Sequence, residues 1–220
     1  MAQGEHIFVS VGTTATQEQE EFVCAVEARV RAEGLVPHTV GRDTFSADAP
    51  LKAVTDLMKT CSGVVIIALE RTYFPTGLDK PGGPRETPLA EVRLATPWNQ
   101  IEAAMAYASG LPLLVIVETL VKQEGLLEPG YDWYVLQLPL ASSSLATPEF
   151  NGVLASWKQK LGQGRLSAQA AASKTIDASQ MTIGQLVSSF KAAQLWAVLA
   201  AIVTVIAGSF TLGAYLFSKH

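Results

Sequence analysis

Residues 195–217 read LWAVLAAIVTVIAGSFTLGAYLF, and no charged side chain occurs between Lys191 and Lys219. At about 1.5 Å per helical residue this stretch covers roughly 34 Å, enough to cross the hydrocarbon core of a bilayer with slight tilt. A buried core helix rarely runs past about 18 uncharged residues, so the pattern predicts one transmembrane helix over 195–217. Trp196 at one end, and Tyr215 and Phe217 at the other, fall where aromatic rings meet lipid headgroups, with Lys191 and Lys219 bracketing the span. The opening MAQGEHIFVSVG has neither a basic leader nor an apolar run of signal-peptide length. The expected arrangement is a single-pass tail anchor in the inner (cytoplasmic) membrane, with the bilayer as a partner and the N-terminal domain in the cytoplasm. Cys24 and Cys61 are the only cysteines, which suits a reducing compartment, and both read as small buried hydrophobes. A net charge of −4 argues against a nucleic-acid partner, whose binding surface would be basic.

Upstream of the anchor, four short runs are apolar without alternation: 7–11 (IFVSV), 64–69 (VVIIAL), 112–117 (PLLVIV) and 133–138 (WYVLQL). Strands buried on both faces have this character and belong to parallel sheets covered by helices. Residues 35–40 supply a fifth, weaker strand. Between them lie helical patterns: 17–33, with Phe22, Val23, Val26 and Val30 on one stripe; 50–61, with Leu51, Val54, Leu57 and Met58; and 97–109. A closing helix over 148–161 places Phe150, Leu154, Trp157 and Leu161 to pack on the sheet. The alternation predicts an α/β domain of flavodoxin-like, doubly wound type, with a parallel five-stranded sheet. The domain is expected over 1–161, followed by a Gln-, Ala-, Ser- and Gly-rich flexible linker over 162–181. Thr182 and Gln185 then form a capping-box pattern, opening a juxtamembrane amphipathic helix over 182–194 ahead of the transmembrane helix at 195–217.

In open α/β sheets, ligands collect at the carboxyl ends of strands near the switch point, here the loops after the first and third strands. Ser10, Gly12, Thr13 and Thr14 follow the first strand, small and hydroxyl-bearing, ahead of helix amides that can hold an anionic or sugar group. The segment has no P-loop lysine and is not GxGxxG; it also reads as an ordinary tight turn. After the third strand, residues 71–95 make a connection far longer than the usual 2 to about 6 residues, the length of a lid, a specificity loop or a disordered segment. Arg71, Arg85 and Arg93 within it are candidate phosphate clamps, or plain surface charges. Thr96 is a natural N-cap and Pro97 a natural first helical residue. Asn99 and Glu102 then share a face one turn apart, beside Trp98, and the positive end of the helix favours an ionised Glu102. Such a carboxylate can stabilise an oxocarbenium ion or attack a sugar anomeric carbon. His6, His38 and His220 are scattered, so neither a Ser/His/Asp relay nor a histidine-rich metal site has its parts, and no metal or cofactor is expected.

The run Trp98-Asn99-Gln100-Ile101-Glu102-Ala103-Ala104-Met105-Ala106, followed by Gly110-Leu111-Pro112 and an apolar strand, resembles the segment that bears the essential glutamate in two related groups. These are the nucleoside 2-deoxyribosyltransferase-like proteins and the bacterial Toll/interleukin-1 receptor (TIR)-like domains. The opening HIFVSVG, Phe22 on the first helix, and Met58-Lys59-Thr60-Cys61-Ser62-Gly63 before VVIIALER are arranged similarly. Over residues 5–140 the resemblance implies a flavodoxin-like domain that cleaves or exchanges an N-glycosidic bond in a nucleoside, nucleotide or NAD, with Glu102 as the matching glutamate. It implies Asp43 and Asp132 only as candidates for a second carboxylate. By analogy with TIR-like domains joined to membrane segments, a bacterial defence effector is one setting for such a chain. Two functions then compete. In one, the domain is a membrane-tethered enzyme acting on a nucleotide or NAD-like molecule. In the other, the pocket only senses a nucleotide signal, and the membrane helices associate as a homo-oligomer through the small-residue stripe Ala197, Ala201, Thr204, Gly208 and Thr211 to permeabilise the bilayer.

Overall fold

The computed structural model describes residues 4–174. Five strands form one wholly parallel sheet: β1 (Glu5–Val11), β2 (Leu35–His38), β3 (Gly63–Ala68), β6 (Leu113–Glu118) and β7 (Val135–Leu138), in the spatial order β2-β1-β3-β6-β7. Four helices complete the α/β fold: α1 (Gln17–Ala32), α2 (Pro50–Met58), α3 (Pro97–Ala108) and α4 (Pro148–Lys174). The order is consistent with a flavodoxin-like fold, and it reverses between β1 and β3.

Alternate residues of each strand serve opposite faces. Ile7 and Val9 of β1 join Phe22, Val23, Val26 and Val30 of α1 and Phe150, Leu154, Trp157 and Leu161 of α4 in one core. Phe8 joins Val54 and Met58 of α2 and Ala103 and Ala106 of α3 in the other. The central β3 is buried along its whole length, which is why its residues are continuously apolar. Gly63 is fixed by close packing: a Cβ there would stand 2.3 Å from Leu161 Cδ2, so α4 approaches β3 only over a glycine.

Four expectations from sequence are corrected. Residues 71–95 are neither a disordered segment nor an irregular lid: β4 (Thr72–Asp79) and β5 (Thr87–Leu94) pair antiparallel from Thr72 with Leu94 to Asp79 with Thr87. Most of its side chains are exposed, so the strands carry none of the apolar signal of a core strand. Second, α4 continues past Leu161 to Lys174, helical where a tether was expected from Gly162; Ala168, Ala170, Ala171 and Ala172 in this stretch have high helix propensity. Third, Cys24 is exposed and hydrogen-bonded to Glu20, whereas Cys61 is buried; both are free. Fourth, two of the scattered histidines meet: His6 Nδ1 lies 2.7 Å from His38 Nε2, with the rings stacked across β1 and β2. Among the described residues no cluster of three or more potential metal ligands occurs, and no helix is long and apolar enough to cross a membrane. The expected amphipathic helix at 182–194, the transmembrane helix at 195–217, its small-residue stripe and His220 lie outside the described residues.

Candidate functional site

Helix α3 places the central side chain. Thr96 caps it, its hydroxyl accepting from the Trp98 amide at 3.4 Å, and Pro97 opens the first turn. The i, i+3 spacing then turns both Asn99 and Glu102 inward, where each is buried. Glu102 reaches the wall of a cleft of about 340 Å³. The loop after β1 contributes Gly12 and Thr13 to that wall, the segment after β3 contributes Arg71, α2 contributes Pro50 and Val54, and α3 contributes Trp98. These are carboxyl-end loops on either side of the β1/β3 reversal, where a doubly wound sheet leaves a crevice. Gly12 permits the closeness: a Cβ there would meet Thr96 Cγ2 at 3.0 Å.

Glu102 is only 8% exposed, and among the described residues no cation pairs with it. Burial pushes its carboxyl up to about 7, partly opposed by a hydrogen bond from the Ser10 hydroxyl that favours the charged form. The expectation was that the helix end favours the ionised form; here burial outweighs that preference. The sixth helical position lies past the first turn, where the helix dipole fades, and loss of hydration prevails. At neutral pH the group stands near its midpoint, able both to hold and to release a proton.

The remaining sequence candidates separate. Gly12, Thr13, Arg71 and Trp98 line the cleft with Glu102. Arg71 is exposed there and its side chain makes no ion pair among the described residues, while the Trp98 ring is 41% exposed. Ser10 and Asn99 are each 1% exposed and lie behind the wall, bonded to one another. Thr14 turns away, donating its hydroxyl to Glu20 at 2.7 Å. Arg93 pairs with Glu70 at 3.0 Å and covers the Tyr73 ring, and Arg85 sits at the hairpin turn away from the cleft wall. Neither candidate second carboxylate reaches the cleft: Asp43 accepts from the Thr39 amide within its own turn, and Asp132 accepts from the Tyr107 hydroxyl beside a different cleft. Among the described residues, Glu102 is the only carboxylate on this wall. Val40 and Pro50, which close the side facing α2, had no chemical signature in the sequence; only the topology brings them here.

Comparison with known proteins finds no matching family model, no matching curated protein and no matching solved structure.

Proposed function

We propose that this chain is a membrane-anchored protein that cleaves or exchanges an N-glycosidic bond in a nucleotide or NAD-like molecule, with Glu102 as the reacting carboxylate and a flavodoxin-like scaffold beneath it. The observation that carries the reading is a buried carboxylate, unpaired by any cation among the described residues, opening into a cleft at the sheet's switch point. Burying such a group is costly, and sites of that kind cluster where chemistry is done. The exposed face of Trp98 offers a stacking surface for a base, and the Arg71 guanidinium offers a bidentate partner for a phosphate. In hydrolysis, the bond between the sugar carbon and the base nitrogen breaks with its electron pair leaving on the base. Ionised Glu102 stabilises the positive charge left on the sugar, and water then adds its hydroxyl to that carbon and releases a proton. The apolar tail at 195–217 supports a tail anchor in the cytoplasmic membrane, and its small-residue stripe supports self-association there.

The test incubates the purified full-length chain in detergent with NAD and a panel of nucleosides and nucleotides, followed by chromatography of the released base. Glu102→Gln keeps the shape and removes the charge, so turnover is expected to fall by about 100-fold or more while folding and ligand binding persist. Wild-type turnover in the variant, or no base release by the wild type from any member of the panel, removes the enzymatic reading.

A further inference from the structure

Leu69, Glu70 and Arg71 join β3 to β4 just beyond the point where the parallel sheet holds the chain. The last pair between β3 and β6 is Ala68 with Val117, so the backbone groups that follow need other partners. Side chains from two neighbouring elements supply them. Glu118, which ends β6, accepts the Glu70 amide proton on Oε2 at 2.6 Å, and Gln19 of α1 donates from Nε2 to the Glu70 carbonyl at 2.9 Å. The Gln19 amide is itself oriented: its Oε1 accepts from the Ala15 amide at 2.8 Å, which leaves Nε2 to serve Glu70 and, at 3.3 Å, the same Glu118 oxygen. Gln19 is 3% exposed, so these bonds are satisfied within the protein. From the hairpin side, the Glu70 carboxylate pairs with Arg93 of β5 at 3.0 Å, and the Arg71 amide donates to the Leu94 carbonyl at 2.9 Å. Both backbone groups of residue 70 and the amide of residue 71 are thus fixed. The Arg71 guanidinium, by contrast, has neither a hydrogen bond nor an ion pair among the described residues, and it lines the cleft.

We propose that Glu118 and Gln19 are positioning residues for Arg71: by clasping both backbone groups of Glu70, they set the direction in which the chain leaves the central strand, and so hold the cation of the cleft wall where a ligand phosphate meets it. The arrangement rests on the reading of Arg71 as the phosphate partner. Neither Glu118 nor Gln19 forms part of the cleft wall, so any effect on a ligand must pass through residue 71. Polar side chains turned inward at a strand end are costly unless they are bonded, and here they are bonded to the one connection that carries Arg71. A long side chain loses rotamer freedom when it grips a phosphate, and a backbone already held in place keeps that loss from growing. The Glu70–Arg93 pair adds a second contribution. It engages the carboxylate next to Arg71 in the chain, which is therefore not the partner that neutralises Arg71.

The experiment is a double-mutant cycle on the full-length chain in detergent, with AMP and adenosine as the probes in isothermal titration. Wild type is expected to bind AMP about tenfold tighter than adenosine, the contribution of one charge-assisted contact, and R71A to bind both alike. E118L removes the acceptor for the Glu70 amide and is expected to cut the AMP preference to about threefold while adenosine binds as before. E118Q keeps a carbonyl oxygen at that place and is expected to retain the wild-type preference. In the R71A background, E118L is expected to change neither affinity. A purely structural role would weaken AMP and adenosine together, and would do so in R71A as well. That result, or an undiminished AMP preference in folded E118L, overturns the proposal. Should E118L fail to fold by circular dichroism, Q19M removes the donor to the Glu70 carbonyl and carries the same expectations. A wild type with no preference for AMP, whether it binds both probes alike or neither, also overturns it. Base release is scored separately. A chain that shows the expected cycle yet releases no base from any member of the panel counts against the glycosidic reading alone, and a chain that releases base without the cycle counts against the positioning alone.

Discussion

Glu20 and Glu102 both stand on helices that begin at the carboxyl edge of the sheet, yet their surroundings drive them in opposite directions. Glu20, in the first turn of α1, accepts hydrogen bonds from Arg42 and Thr14, which bring its carboxyl down to about 2. Glu102 has no cation beside it among the described residues, and burial takes it up to about 7. The α1 mouth is an ion-pair network at the surface; α3 holds a buried carboxylate that no cation pairs among the described residues, on the wall of a cleft. The two glutamates, one in the first turn of its helix and one just past it, differ chiefly because of solvent and partners.

The comparison breaks most readily at Glu102. Its folded value lies above its ordinary one, so between pH 4.5 and about 7 the native state binds more protons than the unfolded state, and stability falls as pH rises through that window. Glu102→Gln removes the penalty: the variant should exceed wild type in stability by up to about 3 kcal/mol above pH 7, and match it near pH 4. Denaturant melts of the full-length chain at the two pH values measure this, and an equal difference at both would show that Glu102 is not held against its charge.

A smaller effect is expected at Arg71. Replacing it with alanine removes the free cation of the cleft, and affinity for a phosphate-bearing ligand should fall by about tenfold, the cost of one charge-assisted contact, while an uncharged nucleoside binds as before. Isothermal titration with the two ligand types separates these outcomes. Loss of both would mean that Arg71 shapes the cleft rather than reading charge.

The smallest effect belongs to the satisfied region. Glu20→Gln should cost less than about 1 kcal/mol at neutral pH, because the Glu20 and Arg42 side chains are 42% and 26% exposed and surface ion pairs are weak. Its sign is opposite to that of Glu102. A depressed carboxyl stabilises above about pH 4.5 and loses that contribution as pH falls towards 2, so variant and wild type should converge in acid. A larger loss at neutral pH, followed by thermal melts, would show that the network does more than cover the surface.

Much of the scaffold was legible because its signals are local. The stripe of Phe22, Val23, Val26 and Val30, and that of Phe150, Leu154, Trp157 and Leu161, are buried as their periodicity required. The apolar β3 run is the central strand for the same reason. The β4–β5 hairpin was not legible: an exposed strand needs no apolar alternation, and its Pro and Gly residues imitate a loop. Of the residues singled out for the site, Gly12, Thr13, Arg71, Trp98 and Glu102 share one cleft, whereas Thr14 and Arg93 are engaged elsewhere. Their loops were identifiable from strand order, but the direction of each side chain was not.

By itself the sequence determined the five strands of the parallel sheet, the starts of the helices and the buried stripes of α1 and α4, because hydrophobic period and capping chemistry act within a few residues. It also marks 195–217 as long and apolar enough to span a bilayer. Only the tertiary structure decided the chemistry of Glu102. Residues far from it in the chain come to its side: Val54 and Arg71 line the same cleft, and Ser10 lies buried behind its wall. Hydration and Coulomb forces depend on distance in space, and that distance exists only once the sheet has brought β1, β3 and α3 together.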